Sequence, residues 1–301
     1  MHQPTRPPIH RPPPRHGRRG CVADTLIAVL ALFACTLVSC GSLLMAYLVV
    51  PVQPVSVLIM GIDARDGEGL ATRSDAVMIA GVKGVRLNVM SIPRDVFIRV
   101  PGYGSPQRIN TVNALGEIDS IGGGRLLQDS IEHSFGVRPS AYIRLDFDAF
   151  QRMIDAVGGV TVDVPFAIQD NAYPTDDGGT MTVRFEAGRQ HMNGERALIY
   201  ARTRNPDDDY RRAGRQQQIL TAFARKAALP IFWPGLLVVI AGSVDTNLSP
   251  VDALRVLPAA MIGLFNSERF VMDRDYVVAG AGGVVPDYAR VNPIFWQMFG
   301  R

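Results

Sequence analysis

Two aspartates and a set of arginines are the residues of this 301-residue chain best able to do chemistry. Asp63 follows the apolar run Val55-Ser56-Val57-Leu58-Ile59-Met60 and Gly61, and Asp75 opens the next run, Ala76-Val77-Met78-Ile79-Ala80. The first run has the length and branched-residue content of a buried strand, and Gly61 ends it. Asp63 therefore stands at a strand's carboxyl end, the edge at which open α/β sheets bind ligands. If the two strands are neighbours, the loop between them returns Asp75 close to Asp63. Two carboxylates on one rim, with Arg65, Arg73 and Arg94 near in sequence, suit a hard divalent cation shared with phosphate oxygens. The competing reading makes both aspartates turn residues paired to neighbouring arginines.

A second group lies further on. Arg202 and Arg204 project to the same side if Ala201-Arg202-Thr203-Arg204 is extended. Arg211, Arg212 and Arg215 fall in the first turns of a helix after Asp207-Asp208-Asp209. On that helix Arg212, Gln216, Ile219 and Phe223 share one stripe, so an arginine and a glutamine continue a buried face, as a site would require. Fork-shaped guanidiniums are the side chains best matched to a pyrophosphate. The alternative is ion pairing among Arg202, Arg204 and the three aspartates. A phosphate role predicts that replacing Arg202 or Arg212 leaves stability nearly unaltered, since exposed ion pairs contribute little.

GIDAR, TRSD and SIPRD, in this order and spacing, resemble the opening motifs of the LytR-CpsA-Psr family of cell-wall polymer transferases. QRINT, DAFQRMIDAVGGVTVDVP, and NGERALIYARTR followed by RRAGRQQQ resemble its later motifs, so that the likeness covers roughly Val55 to Leu229. The resemblance implies that Asp63 and Asp75 hold Mg²⁺ (or Mn²⁺). It also implies that Arg94, Arg202, Arg204, Arg212 and Gln216 hold a pyrophosphate. Arg108, in QRINT, stands where the family has a basic residue, and Arg65, Arg73 and Asp95 would orient the groups that touch the ligand.

The elements that must position these residues alternate. Val55 to Gly61, Asp75 to Val82, Val85 to Ile92 and Val96 to Val100 read as strands, the last leading to the turn Pro101-Gly102-Tyr103-Gly104. QRINT is placed in a polar loop. Leu126, Leu127, Ile131 and Phe135 are helix-spaced, and Gly136 can cap that helix. Tyr142 to Phe147 alternates as a strand. Phe150, Ile154 and Val157 mark an amphipathic helix ending at Gly158-Gly159, with a strand over Val160 to Val164. The acidic, turn-rich segment Gln169 to Thr180 reads as a mobile surface loop. Asn193 caps a helix over Glu195 to Tyr200. Ile231 to Ala241 is apolar, contains Pro234 and is too short to span a membrane, which assigns it to the core or to a lipid-contacting surface. Ser249 and Pro250 announce a helix over Val251 to Leu264, and Tyr276 to Arg301 adds a strand and a terminal helix. Such alternation predicts an α/β sandwich with a mixed sheet. The resemblance implies its three-layer α-β-α form.

Composition bounds the setting. With 47% hydrophobic residues the chain can build one large domain or two small ones. The net charge of +3 is misleading, because Arg6, Arg11, Arg15, Arg18 and Arg19 occupy the first twenty residues without an acid. Without those five, 26 basic residues face 28 acidic ones, which argues against a nucleic-acid partner. Thr25 to Val50 carries no charge. The expected organisation is a disordered cytoplasmic tail over residues 1–24, a transmembrane helix over 25–50 and an extracytoplasmic domain over 51–301. The arginines ahead of the span place the N-terminus inside the cytoplasmic membrane in a single-pass topology. A buried core helix is one alternative. A lipobox, Leu37-Val38-Ser39-Cys40-Gly41, is another, but Leu43 to Val50 stays apolar beyond Cys40, which favours an uncleaved anchor. Cys21, Cys35 and Cys40 all lie in or beside this segment, so the expected domain uses neither disulfides nor a cysteine nucleophile.

The function that the resemblance implies is transfer of a glycopolymer, as its sugar phosphate, from a polyprenyl-pyrophosphate carrier to a hydroxyl of peptidoglycan. A non-catalytic wall-binding protein of the same fold would bind such lipids without turning them over. A DNA-binding regulator is suggested only by arginine content, and the apolar span speaks against it.

Overall fold

The computed structural model describes residues 19–49, 55–64, 69–84, 86–175, 178–203, 209–249, 252–253, 263–264, 266–280 and 282–300. The chain divides into two units, Met1–Val50 and Pro51–Arg301. In the first, α1 (Arg19–Val49) is a single helix of 31 residues, about 46 Å long and so longer than the roughly 30 Å hydrocarbon layer of a bilayer. Thr25–Ser42 is its most apolar window, and the hydroxyls of Thr36 and Ser42 are satisfied by the carbonyls of Leu32 and Val38, each at 2.8 Å. A lipid environment demands such internal pairing. Residues 1–18 of the expected tail lie outside the described residues, and the helix starts at Arg19, ahead of the expected Thr25.

In the second unit β1 (Val55–Ile62), β2 (Ser74–Lys83) and β3 (Arg86–Ile92) form an antiparallel meander. A short ladder of β4 (Phe97–Ile98) with β5 (Gln107–Arg108) precedes α2 (Ile109–Ile118) and α3 (Gly123–Phe135). Then come β6 (Ala141–Leu145), α4 (Phe147–Ala156), β7 (Val160–Val164), β8 (Ile168–Pro174), β9 (Thr180–Phe185) and β10 (Gly188–Met192). They lead to α5 (Gly194–Arg202), α6 (Asp209–Ala227), a 3-10 turn at Pro230–Phe232 and α7 (Trp233–Ser243). The described remainder holds β11 (Asp245–Thr246), β12 (Ser267–Val271), the hairpin of β13 (Val277–Gly280) with β14 (Gly283–Pro286), and α8 (Tyr288–Phe299).

The central sheet has the order β11-β6-β1-β2-β3-β12, parallel where β1 meets β6 and β3 meets β12, antiparallel elsewhere. It is the mixed sheet expected, with helices on both faces. In β1 every second residue is buried, from Ser56 through Leu58 and Met60 to Ile62. Leu58, Met60, Val77, Ile79 and Met90 pack with Val112 of α2, Leu127 and Ile131 of α3, and Phe295 of α8. The opposite face, with Ile59, Gly61, Met78, Ile143 and Leu145, looks toward α4, α5 and α6 across a cavity. Those last three helices share a second core with β7, β8 and β9, through Ile154, Tyr200, Ile219, Val162, Tyr173 and Phe185.

Local signals explain most boundaries. Asp146 caps α4, accepting from the N–H of Ala149 at 2.6 Å, and Asn193 caps α5, accepting from Arg196 at 2.9 Å. Gly136 closes α3 in the left-handed conformation at φ 73°. Ser249 Oγ accepts from the N–H of Asp252, as a capping residue does, but most of the expected helix over Val251 to Leu264 lies outside the described residues.

Three expectations need correction, and two strands are added. QRINT is not a polar loop: Gln107–Arg108 pairs with β4, and Ile109 opens α2, whose Ile109 and Val112 are fully buried. The segment Gln169 to Thr180 belongs to the β8–β9 hairpin, held inward by Ile168, Tyr173, Val183 and Phe185. Its alternation is hidden among turn-forming residues, and only its tip, residues 176–177, lies outside the described residues. The strand expected over Val96 to Val100 shortens to Phe97–Ile98. Gly188–Met192 is a strand paired with β7, and Ser267–Val271, which the sequence reading did not mark, closes one edge of the sheet.

Candidate functional site

The register of the meander assembles the polar end of the site. Ile62 pairs with Ser74 at the last step of the β1–β2 ladder, so Asp63 and Asp75 stand at the same end of one hairpin, as expected if the strands are neighbours. Asp63 donates its backbone N–H to the carbonyl of Arg73 at 3.5 Å. Val77 pairs with Ile92 as the last step of the β2–β3 ladder, and just beyond its end Arg94 meets Asp75, its guanidinium donating to Oδ1 at 3.0 Å. Both side chains are about three-quarters buried, with exposures of 21% and 26%. Asp95 is a looser neighbour of Arg94, at 3.7 Å.

The loop joining the two aspartates is fastened from below. Asn113 of α2, fully buried, donates from Nδ2 to the carbonyls of Leu70 and Thr72 at 2.9 and 2.8 Å. Its Oδ1 accepts from the guanidinium of Arg144 on β6 at 2.8 Å. Arg144, 4% exposed, also binds Glu117 of α2 at 2.6 Å and Asp245 of β11 at 2.7 Å. Burial pushes the Glu117 carboxyl up, but the N–H of Gly123 and the Arg144 guanidinium outweigh it and hold the group below the usual carboxylate range. Glycines let these parts close: a Cβ on Gly116 would lie 2.7 Å from Cα of Gly123, so α2 and α3 meet backbone to backbone.

Two cavities meet at Arg202. One, about 180 Å³, is walled by the sheet face and by Phe150, Met153 and Ile154 of α4, Leu198 of α5, and Ile219, Leu220 and Phe223 of α6. Its charged and polar lining residues are Asp75, Asp146, Arg202 and Gln216. The other, about 420 Å³, is lined by Asp63, Asp148, Gln151, Tyr173, Thr175, Glu195 and Arg202. Arg202 lines both and lies over the Phe147 ring at 4.1 Å, a stacking contact suited to a planar cation. Asp63 Oδ1 is buried without a hydrogen-bond partner among the described residues. A buried carboxylate oxygen left so is costly, and a bound cation would relieve that cost, so the residues present fit a metal. Among the described residues no group of three or more His, Cys, Asp or Glu side chains could hold one alone. The remaining positions would then come from phosphate oxygens and water, as is usual for Mg²⁺.

The structure thus gathers Asp63, Asp75, Arg94, Arg202 and Gln216. Arg202 ends α5 rather than lying on an extended segment, because the helix runs through Ala201 to Thr203 as its cap. Arg65, Arg204 and the acidic Asp207 and Asp208 lie outside the described residues. Arg73 and Arg108 are exposed and line neither cavity, and Arg108 lies 5.5 Å over the Phe97 ring at the start of α2. Arg212 is on α6, as expected, but is 5% exposed. Its replacement would therefore disturb packing, and the expectation of unaltered stability holds for Arg202 alone.

Sequence reasoning missed the supports. Arg215, 4% exposed, donates from Nε to the carbonyl of Tyr200 at 3.1 Å and also reaches the carbonyl of Thr203, fixing the end of α5 that carries Arg202. Gln217 ties α6 to the sheet through Ser91 Oγ and the Phe270 carbonyl, at 2.9 and 2.8 Å. In RRAGRQQQ the helical period separates Gln216 from Gln217 and Arg215 by a hundred degrees either way, which marks different faces but not their partners.

Fold and site together define a three-layer α/β domain whose sheet and helices enclose an apolar cavity with a carboxylate and guanidinium rim. The chain belongs to the LytR_cpsA_psr family, whose model matches residues 49–256. It is 33% identical over 220 residues to the polyisoprenyl-teichoic acid--peptidoglycan teichoic acid transferase TagU of Oceanobacillus iheyensis, covering 71% of this chain and 64% of that one. To the enzyme of the same description named TagV, from Bacillus subtilis, it is 34% identical over 176 residues, 56% of this chain and 43% of that one. The crystal structure of B. subtilis TagV superposes with a TM-score of 0.66 at 25% identity, covering 82% of this chain and 98% of that chain.

Proposed function

We propose that this chain is a membrane-anchored transferase that moves a glycopolymer from a polyprenyl-pyrophosphate carrier to a hydroxyl of peptidoglycan. One observation carries the reading: an apolar cavity includes Asp75, Asp146, Arg202 and Gln216 in its lining, with Asp75 paired to Arg94, which fits a ligand with an apolar tail and an anionic head. The relatives named as teichoic acid transferases support the polymer class and the acceptor. In this reaction the oxygen of the acceptor hydroxyl bonds to the phosphorus that carries the sugar and releases its proton, the bond from that phosphorus to the bridging oxygen breaks, and polyprenyl phosphate leaves, the proton passing to it or to solvent. Arg94 and Arg202 stabilise charge growing on the bridging oxygen, and Gln216 orients the pyrophosphate. We assign Arg204 and Arg212 to the same pyrophosphate-binding role, with Arg108, Arg65 and Arg73 as supporting residues. Asp63 and Asp75 would hold Mg²⁺ (or Mn²⁺), which supplies Lewis-acid stabilisation of the phosphate oxygens when bound.

Arg202→Ala tests the head-group reading. Binding of a polyprenyl pyrophosphate should weaken at least tenfold, the loss of a charge-assisted contact worth roughly 1.5–3 kcal/mol. The stacking on Phe147 is worth only about 0.5–1 kcal/mol, so the melting temperature should move little. Unchanged binding with a large loss of stability would instead make Arg202 a structural ion-pair residue.

The orientation proposed is N-terminus inside, from the arginines before α1. Protease added to intact protoplasts should then remove the domain after residue 51 while a cytoplasmic control survives. A domain that survives alongside that control reverses the orientation.

A further inference from the structure

The segment Ala227 to Val244 carries no charged residue, and the chain turns through 93° between Tyr210–Ala227 and Pro230–Ser243 to enter it. Only Leu236 of α7 is buried, in the core shared with α4 and α6. Gly235 lies against Ala156 of α4, in ordinary contact. On the outer side Ile231, Leu237 and Val238 are 80%, 65% and 76% exposed. The sequence left this segment to the core or to a lipid-contacting surface, and its exposure removes the first choice. A helix apolar all round is ordinarily buried in protein or in lipid. A contiguous exposed patch of this kind marks an interaction surface.

We propose that α7 and the preceding turn dip into the surface of a lipid bilayer, lying along it. Eleven residues of helix reach about 16 Å, too short to cross some 30 Å of hydrocarbon, so the helix lies in the interface. The occupant is a bilayer because an apolar span precedes the domain, joined by only five residues, 50–54, which extend no further than about 20 Å. The flanks match a phospholipid surface: Arg225 is exposed at the end of α6, Lys226 beside it is half-buried with its ammonium donating to the carbonyls of Val157 and Gly158 at 3.2 and 2.9 Å, and Trp233, partly exposed, has its indole N–H bound to the Ala227 carbonyl. Basic residues and tryptophan at the edge of an apolar patch suit the headgroup layer. The consequence for the site is direct, since α7 packs on α4 and shares a core with α6, and those two helices wall the apolar cavity. A docked α7 brings that wall to the membrane from which a lipid carrier would come.

This inference rests on α1 as a membrane anchor, and its test separates the two. The full chain, with Cys21, Cys35 and Cys40 replaced by serine, carries one environment-sensitive fluorophore at Val238→Cys, or at Ile118→Cys on α2 as control. Both sites are exposed, and Ile231→Cys serves as a second reporter should the first variant melt early. The chain is reconstituted into vesicles of phosphatidylcholine and phosphatidylglycerol, with and without spin-labelled acyl chains. The label at 238 should be blue-shifted and quenched several times more strongly than the label at 118. Flotation with the vesicles but equal quenching at 238 and 118 would overturn the docking and leave the anchor standing. A blue shift that follows protein density and ignores the spin label would assign α7 to a second copy of the chain, which also overturns it. A chain that does not float with vesicles at all sinks both.

Discussion

Asp75→Asn is expected to lower turnover of a polyprenyl-pyrophosphate-linked substrate on the order of 100-fold or more, because it removes the charge that would face the cation while keeping the side chain's shape. It also breaks the ion pair that orients Arg94. Asp63→Asn should cost about as much, and the double variant scarcely more, since groups that act as a unit are not additive. A second readout isolates the metal. Asp63 Oδ1 is buried and has no hydrogen-bond partner among the described residues, so the cation that relieves it should raise the melting temperature of the parent chain by mass action and fail to do so in Asp63→Asn. The assay follows release of polyprenyl phosphate with and without EDTA. Turnover that survives both EDTA and the double substitution would return the aspartates to ordinary turn residues.

The second large effect is on stability. Arg144→Ala should cost about 3 kcal/mol, toward the lower end of the roughly 3–5 kcal/mol for breaking a buried ion pair. The lower end applies because Glu117 and Asp245 keep 24% and 38% exposure and can rehydrate. For a domain of this size that is a fall in melting temperature on the order of 10 °C. Asn113 would lose its partner in the same step, so the loop from Asp63 to Asp75 should loosen and activity should fall in the fraction that remains folded. The Glu117 carboxyl is held low in the folded chain, so its share of this stability is present above the unfolded carboxylate pKa and fades as pH falls through the folded one. Thermal melts of parent and variant should therefore converge toward acid pH. A gap that widens there would contradict the assignment.

What could be read from sequence was whatever local pattern dictates. The run from Val55 to Met60 announced a strand, Gly61 its end, and the order GIDAR, TRSD, SIPRD announced two aspartates and an arginine that the ladder then brings together. The stripe from Gln216 to Phe223 was legible because a helical face and a cavity wall have the same period. Asn113 and Arg144 were not legible. Their roles come from contacts between residues 31 apart in sequence, and an asparagine in a helix that also buries Asn110 carries no sign of which loop it holds. The β8–β9 hairpin was read as a loop for the converse reason: its Asp, Asn and Pro residues are turn-formers by propensity, overridden by the burial of Tyr173, Val183 and Phe185.

The order of the central sheet bears on how the chain reaches its fold. Its middle, β1 to β3, is a meander from Val55 to Ile92 that can zip from neighbouring residues as soon as they are free. Its outer strands are β11 at Asp245–Thr246 and β12 at Ser267–Val271, from far down the chain. During synthesis from the N-terminus, β3 therefore presents an open ladder edge until β12 arrives to pair with it in parallel. Parallel pairing across so long an interval is slow, and an apolar strand left open meanwhile invites pairing with other chains. A factor that shields nascent strands should act on this protein between the emergence of Ile92 and that of Val271, and truncation ahead of Ser267 should yield aggregates rather than a smaller domain.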